Sequence, residues 1–506
     1  MEFQSASPIA WVSDEDRLER RQESKRPRAA GPASQLAWPL IETIHPQTNL
    51  EHHLTEASPI DVIPPAPPAG ADRGGTSVIA LGSLFGLLYF VQGIVEPTDG
   101  LLSQPIKSLL RNWGYSAAST AWFISVLSVA WAIKPLYGLL ADFVPLAGSR
   151  RRSYLLLTTA VASISLTVVY LLPLTSERAV LLLLLLLPTA VAIAFSDVVI
   201  DAMMIAAGQP RGMTGRLQSI QWTSMYAATI VTGVAGGALS QWGMQQAGFL
   251  IAGLSCGISL LAVWFLVRER RQSADVCAEP GHPNAMWQAA PRILPSHAIA
   301  EMWRTFREPS IVAIGAFLFL WNFNPFSSTV LYYYSTEALH FSEQFVGSLT
   351  SWHAVGLLTG SILYGVICRK IPLRWLIHGS IVAGIVATIA YWGYRDATSG
   401  VVISLLVGVV YAIGSLIQLD LAARVCRPET AATTFALLMS LTNLGTALSQ
   451  GIGGSIYEAM AERWGYASAF QMLVAVGAVF TAACWLLIPL LNHLILSPRK
   501  AEGEAY

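Results

Sequence analysis

Asp197 and Asp201 stand four residues apart in Ser196-Asp-Val-Val-Ile-Asp, inside a long apolar run, and that interval puts both carboxylates on one face of a helix. Like charges held that close in a medium of low dielectric resist being ionised together. That is the property of a pair that loads and releases a proton. The same two groups could instead be held by Lys134 or by loop arginines as a structural latch, and both readings stay open. Gln92, late in another apolar run, offers two donors and an acceptor, for a solute or for a hydrogen bond to a neighbouring helix. Gln218, Gln221 and Trp222 occupy neighbouring turns, a flat ring beside amides that suits a planar heteroaromatic solute. Gly233, Gly236 and Gly237 beyond them let helices approach closely. Trp321-Asn-Phe-Asn-Pro-Phe-Ser-Ser-Thr is a polar, proline-broken span centre, tolerated where the freed backbone faces a cavity, with Asn324 and Ser327 as its candidate contacts. His353 reads as a satisfied core histidine. Glu96 and Asp99 are placed at the outer mouth, with Glu96 in water.

The elements that must position these groups are membrane helices. Of 506 residues 54% are hydrophobic and 12% charged, and mean hydropathy is +0.51, too apolar for a soluble enzyme of this length. A spanning helix needs about 20 apolar residues, and such runs recur from residue 78 onward. The expected spans are 78–95, 119–140, 154–172, 180–202, 217–238 and 247–267, then 311–333, 346–367, 375–392, 401–419, 433–452 and 470–490. Ahead of them residues 1–75 read as a disordered tail, with Pro64-Pro-Ala-Pro-Pro near its end. Residues 269–308 read as a central loop and 495–506 as a second tail.

Arginines set the orientation. Arg150, Arg151 and Arg152, then Arg211 and Arg216, Arg268 to Arg271, Arg369 to Arg374, and Arg424 with Arg427 all fall in alternate loops, which marks those loops and both tails as cytoplasmic. The halves repeat weakly. Asp201, Pro210 and Thr214 in the first are echoed by Asp420, Pro428 and Thr433 in the second. The expected fold is therefore an all-α membrane protein of twelve helices in two six-helix pseudo-repeats, residues 76–268 and 309–494.

No phosphate-cradling loop, Ser/His/Asp set or metal-ligand spacing occurs, so no cofactor, no metal and no enzyme activity are expected. Cys256, Cys277, Cys368, Cys426 and Cys484 are scattered and read as packing residues. Balanced charge implies no nucleic-acid partner; the expected partners are a small solute, protons and the bilayer.

Several ordered segments resemble a known family. Gly138-x-Leu140-x-Asp142 followed by Gly148 and the arginine run is similar to the loop between the second and third helices of major facilitator transporters. Within that superfamily Ile133-Lys-Pro-Leu-Tyr-Gly138, Asp142, Pro145 and Arg151-Arg152 resemble the folate-biopterin transporter family, as do Tyr89-Phe-Val-Gln-Gly and Leu419-Asp-Leu-Ala-Ala-Arg with Phe435-Ala-Leu-Leu-Met-Ser and Asn443. Asn324 stands where the family carries threonine in a Thr-Pro-Ser centre, and the two acids after Gln92 depart from its apolar continuation. The resemblance implies a carrier for a folate or pterin-like organic anion, coupled to protons. Gln92, Gln218, Trp222, Asn324, Ser327 and Asn443 would bind it, and Lys134, Asp197, Asp201 and Asp420 would be the buried charges. Asp142, Arg151, Arg152 and Arg424 would form a cytoplasmic gate, with Arg424 bracing Asp420. Lys134 and Arg424 are the cations expected near the cavity to meet substrate carboxylates. Rival readings are a permease for another bulky solute, such as muropeptide-like sugars, and a non-transporting membrane sensor. The acids early in the tail favour a cell membrane over the plastid envelope.

Overall fold

A computed structural model describes residues 78–144, 151–208, 213–267, 307–367, 370–426 and 431–496, together with 146, 149 and 304. The N-terminal tail, most of the central loop and nearly all of the C-terminal tail lie outside the described residues, as do Cys277 and Cys368. Everything regular in it is helical. The first part of the chain folds as α1 (Val78–Val95), α2 (Ser103–Asn112), α3 (Ala117–Ala132), α4 (Lys134–Phe143), α5 (Arg152–Leu171), α6 (Ala179–Gly208), α7 (Thr214–Gln241) and α8 (Gln245–Leu266). The second part folds as α9 (Pro309–Asn322), α10 (Ser328–Tyr333), α11 (Glu343–Ile367), α12 (Leu373–Ala390), α13 (Ala397–Val425), α14 (Ala431–Trp464), α15 (Tyr466–Ala483) and a last turn, α16 (Ile488–Leu491).

Among the described residues seven helical stretches are long and apolar enough to cross a membrane. Two shorter apolar helices, Ile79–Val95 and Pro309–Asn322, accompany them. Helices α7, α11 and α14 are absent from that group because Gly, Ser, Thr and Gln lower their hydropathy, and the small residues among these let them pack closely on other helices. A Cβ at Gly237 would lie 2.9 Å from the Gly347 Cα, and one at Gly451 would press into the Trp122 ring. Helices α7 and α11 thus meet backbone to backbone.

Two of the expected spans are interrupted, and a third element is added. Helix α1 covers the expected first span, but helix resumes at Ser103 as α2, in what was expected to be a loop. The span expected over 119–140 breaks at Ile133, because Pro135 in the first turn of α4 has no N–H to give the carbonyl four residues back. The span expected over 311–333 breaks between Asn322 and Ser328, around Pro325. Between α4 and α5, Leu146 and Ser149 exchange reciprocal backbone hydrogen bonds of 3.0 and 3.1 Å.

Apolar side chains gather in separate cores. One lies within the first part and includes Phe85, Leu88, Ile106, Ile124, Leu166, Phe249 and Cys256. A second joins α9, α12, α13 and α14 through Ile314, Phe317, Ile377, Leu421 and Leu438. A third is aromatic, with Tyr334 stacked on Phe470 at 3.7 Å between ring centres. Polar groups are thereby confined to the helix faces that these cores leave over.

Candidate functional site

The paired carboxylates of α6 are both engaged, and by different chemistry. Lys134 at the start of α4 places its Nζ 2.6 Å from Asp197 Oδ2, while Gln92 Nε2 of α1 donates to Asp197 Oδ1 at 2.6 Å. The Lys134 ammonium also rests 4.4 Å from the centre of the Trp131 ring. Asp201, one turn on, meets only neutral donors. The Tyr89 hydroxyl and Gln221 Nε2, the latter at 3.0 Å, both donate to its Oδ1. Gln218 stands behind, donating to Gln221 Oε1 at 3.4 Å. The α6 face therefore ties α1, α4 and α7 together, and the latch geometry belongs to Asp197 alone. A carboxylate held by hydroxyl and amide can take up a proton without an ion pair having to open; one held by lysine cannot.

Glu96 corrects the sequence reading. It is 6% exposed, not at a wet mouth, and lies where the first span breaks between α1 and α2. Its carboxylate accepts from Thr98 N at 2.5 Å, Thr98 Oγ1 at 2.8 Å, Asp99 N at 2.9 Å and Trp131 Nε1 at 2.9 Å. It satisfies the amides that the interrupted helix leaves orphaned. Asn324 and Ser327 do the same at the break in the second part. Asn324 Oδ1 accepts from Phe326 N at 3.0 Å, and Ser327 Oγ caps α10 by accepting from Val330 N at 3.4 Å. The interhelical amide bond there comes from Asn322, which sequence reasoning passed over. It donates to Gln418 Oε1 at 2.8 Å.

Other expected residues are scattered around these centres. Trp222 is half-buried with its ring 5.7 Å from that of Tyr226. Asn443 donates to the Trp131 carbonyl at 3.0 Å, the very oxygen that Pro135 leaves without its helical partner. Asp420 and Arg424 do pair, at 3.1 Å, but along one helix instead of between helices. Arg152 donates to the Trp264 carbonyl at 2.9 Å and lies over that ring, Arg151 leads into α5, and the Asp142 side chain is outside the described set. His353 meets the Ser404 carbonyl at 3.3 Å, as a satisfied histidine should.

Between the two parts of the chain, hydrogen bonds link α2 and α3 to the segment 328–343 and to α14. Arg111 pairs with Glu343 at 3.2 Å and Glu337 at 3.3 Å, Gln104 reaches Glu343 Oε2 at 2.8 Å, and Tyr332 donates to Glu343 Oε1 at 2.7 Å. Lys107 donates to Ser328 at 3.3 Å, Ala118 N to Glu458 at 2.9 Å, Trp122 Nε1 to Ser455 at 3.0 Å and Ser125 to the Ala447 carbonyl at 2.6 Å. Asp99 stands near Lys107 and Tyr411, whose ring neighbours that of His353 at 6.2 Å. A signal for this region existed in Glu96-Pro-Thr-Asp-Gly100, a proline-glycine break as plain as Asn324-Pro-Phe-Ser. Among the described residues no cluster of His, Cys, Asp and Glu is arranged to hold a metal ion.

Known proteins share both sequence and fold. The chain is 29% identical over 379 residues to the folate-biopterin transporter of Synechocystis, covering 72% of each protein. It is 26% identical over 479 residues to probable folate-biopterin transporter 4 of Arabidopsis thaliana, covering 82% of this chain and 95% of that one. Among solved structures, the nucleoside transporter NupG superposes with a TM-score of 0.61 at 16% identity, over 80% of this chain and 98% of that one. The D-xylose-proton symporter does so with 0.58 at 13% identity, over 81% and 97%. The fold is thus that of the major facilitator transporters, in an integral membrane protein. The BT1 family model matches residues 101–504, and the chain belongs to the BT1 family.

Proposed function

We propose that this protein is a secondary active carrier that moves a folate or pterin-like organic anion across a cell membrane by alternating access, coupled to protons. The observation that carries the reading is the pair of interrupted helices, α1/α2 and α9/α10, with polar side chains at both breaks and the two parts of the chain hydrogen-bonded to each other. Broken spans occur where freed backbone lines a cavity, and rocking of two bundles about such a site is how carriers of this architecture work. In this reading α1 with α2, α3 with α4 and α9 with α10 each make one crossing, giving twelve in two six-helix bundles over residues 76–268 and 309–494, and both tails are cytoplasmic. The folate-biopterin names of the relatives support the substrate class proposed here.

Within the cavity Gln218 and Trp222 are offered as substrate contacts, since Gln218 is exposed and Trp222 half-buried. Gln92, Asn324, Ser327 and Asn443 are offered as groups that exchange their present partners for substrate as the bundles rock. Asp201 is the proton carrier, and Asp197 with Lys134 responds to it across one helical turn. Asp142, Arg151, Arg152 and Arg424 with Asp420 act at the cytoplasmic gate. A second reading has specific support for Asp197 alone: its 2.6 Å ion pair with Lys134 is what a fixed latch would show. Uptake of labelled folate and pterin into liposomes holding the purified protein, with and without a pH gradient, tests the proposal. Gradient-stimulated uptake supports it; uptake of neither compound rejects it in favour of another solute or a sensor.

A further inference from the structure

The carboxylates buried within the helical bundle are almost all spent. Glu96 is saturated by the amides of its own break and by Trp131 Nε1, Asp197 is held by Lys134 and Gln92 and Glu343 by Arg111, Gln104 and Tyr332, while Asp201 has its Oδ1 engaged by Tyr89 and Gln221. Asp99 differs. Among the described residues no hydrogen bond or salt bridge engages its carboxylate, and its side chain is exposed although its neighbours Thr98 and Gly100 are buried. That exposure opens between the two parts of the chain. Tyr411, in Coulombic range of Asp99, belongs to α13, and the Lys107 ammonium on the near side touches Ser328 of α10.

We propose that Asp99 is the specificity-determining residue of the carrier, reading the donor edge of a pterin ring. The proposal rests on the pterin reading above and deepens it. An ionised carboxylate accepts two parallel hydrogen bonds, and an amino-oxopteridine presents two adjacent donors on one edge: a ring N–H and the exocyclic amino group beside it. The ring carbonyl next to that pair is an acceptor, matched by an ammonium such as Lys107. Tyr411 stands near both Asp99 and Tyr226, and an aromatic ring there is one that a flat heterocycle could lie against. Because the Asp99 carboxylate holds no structural partner, it is available to the solute in a way that Glu96, three residues earlier, is not.

The proposal is tested by equilibrium binding of labelled pterin and of labelled lumazine, the dioxo analogue in which a second carbonyl replaces the amino group, to the purified full-length chain. Wild type is expected to prefer pterin by about tenfold or more, since a site built for a hydrogen-bond donor rejects the analogue lacking it. Asp99→Asn is expected to reverse that order, because an amide offers one acceptor and one donor, the complement of lumazine's N–H and carbonyl. An unchanged order of preference in Asp99→Asn, with pterin still bound, overturns the role of Asp99 and leaves the carrier reading standing. Wild type that binds no pterin removes that reading and this one together. Should Asp99→Asn and Asp99→Ser both fail to yield folded protein, the side chain is structural and the proposal is wrong.

Discussion

The two broken helices solve one backbone problem with different chemistry. At the break in the first span the orphaned amides are met by a carboxylate, Glu96, which also accepts from Trp131; at the break in the later span they are met by an amide and a hydroxyl, Asn324 and Ser327. Their surroundings keep the contrast. An ion pair, Lys134 with Asp197, and a second carboxylate, Asp201, lie near the first break, while a neutral pair, Asn322 with Gln418, lies near the other. A charge sunk among apolar helices is expensive and is kept where it has work to do. Hence the first part of the chain holds the proton chemistry in this account, and the later part brings a neutral break against it.

Removing one member of each polar pair gives the largest expected separation between the two regions. Lys134→Met leaves the Asp197 charge uncompensated and should lower stability by about 3–5 kcal/mol, with much of the loss recovered when Asp197→Leu is added. Asn322→Leu, which strands only the Gln418 carbonyl, should lose about 1–3 kcal/mol, and thermal unfolding of purified protein measures both. Equal losses would erase the contrast. The breaks themselves come next. Glu96→Ala should cost about 1.5–3 kcal/mol, as expected for hydrogen bonds to a charged group, and Asn324→Ala about 1 kcal/mol, as for an ordinary cap. The smallest effect concerns the contact that joins the two parts at Trp131. Asn443→Ala should cost about 1 kcal/mol in the native chain and less in a Pro135→Ala background, where the Trp131 carbonyl regains its helical donor. A double-mutant cycle with no coupling would show that Pro135 is not what frees that oxygen.

Much of this was legible in the residues, and what escaped has a common cause. Uninterrupted spans are visible because lipid imposes a continuous apolar run, and Asp197 with Lys134 could be named as possible partners because opposite charges in apolar runs seek each other. Helix α2 was hidden by Lys107 and Arg111, which look like loop charges until Ser103, Ser328, Glu337 and Glu343 are seen around them. Glu96 was read as wet for the same reason, since its donors include an indole some 35 positions away in the chain. Asp420 with Arg424 was readable because an interval of four is local. Tertiary contacts that neutralise a charge leave no local trace, so the charged parts of an interior are where reading by hydropathy fails first.

Proton-driven accumulation of labelled pterin in liposomes, compared between wild type and Asp201→Asn, bears most directly on the division of labour between the two parts of the chain. Wild type should concentrate pterin when the outside is acidified, while Asp201→Asn should still exchange internal for external pterin at symmetric pH and gain nothing from the gradient. Undiminished gradient-driven accumulation by Asp201→Asn would contradict the assignment of proton coupling to the first part.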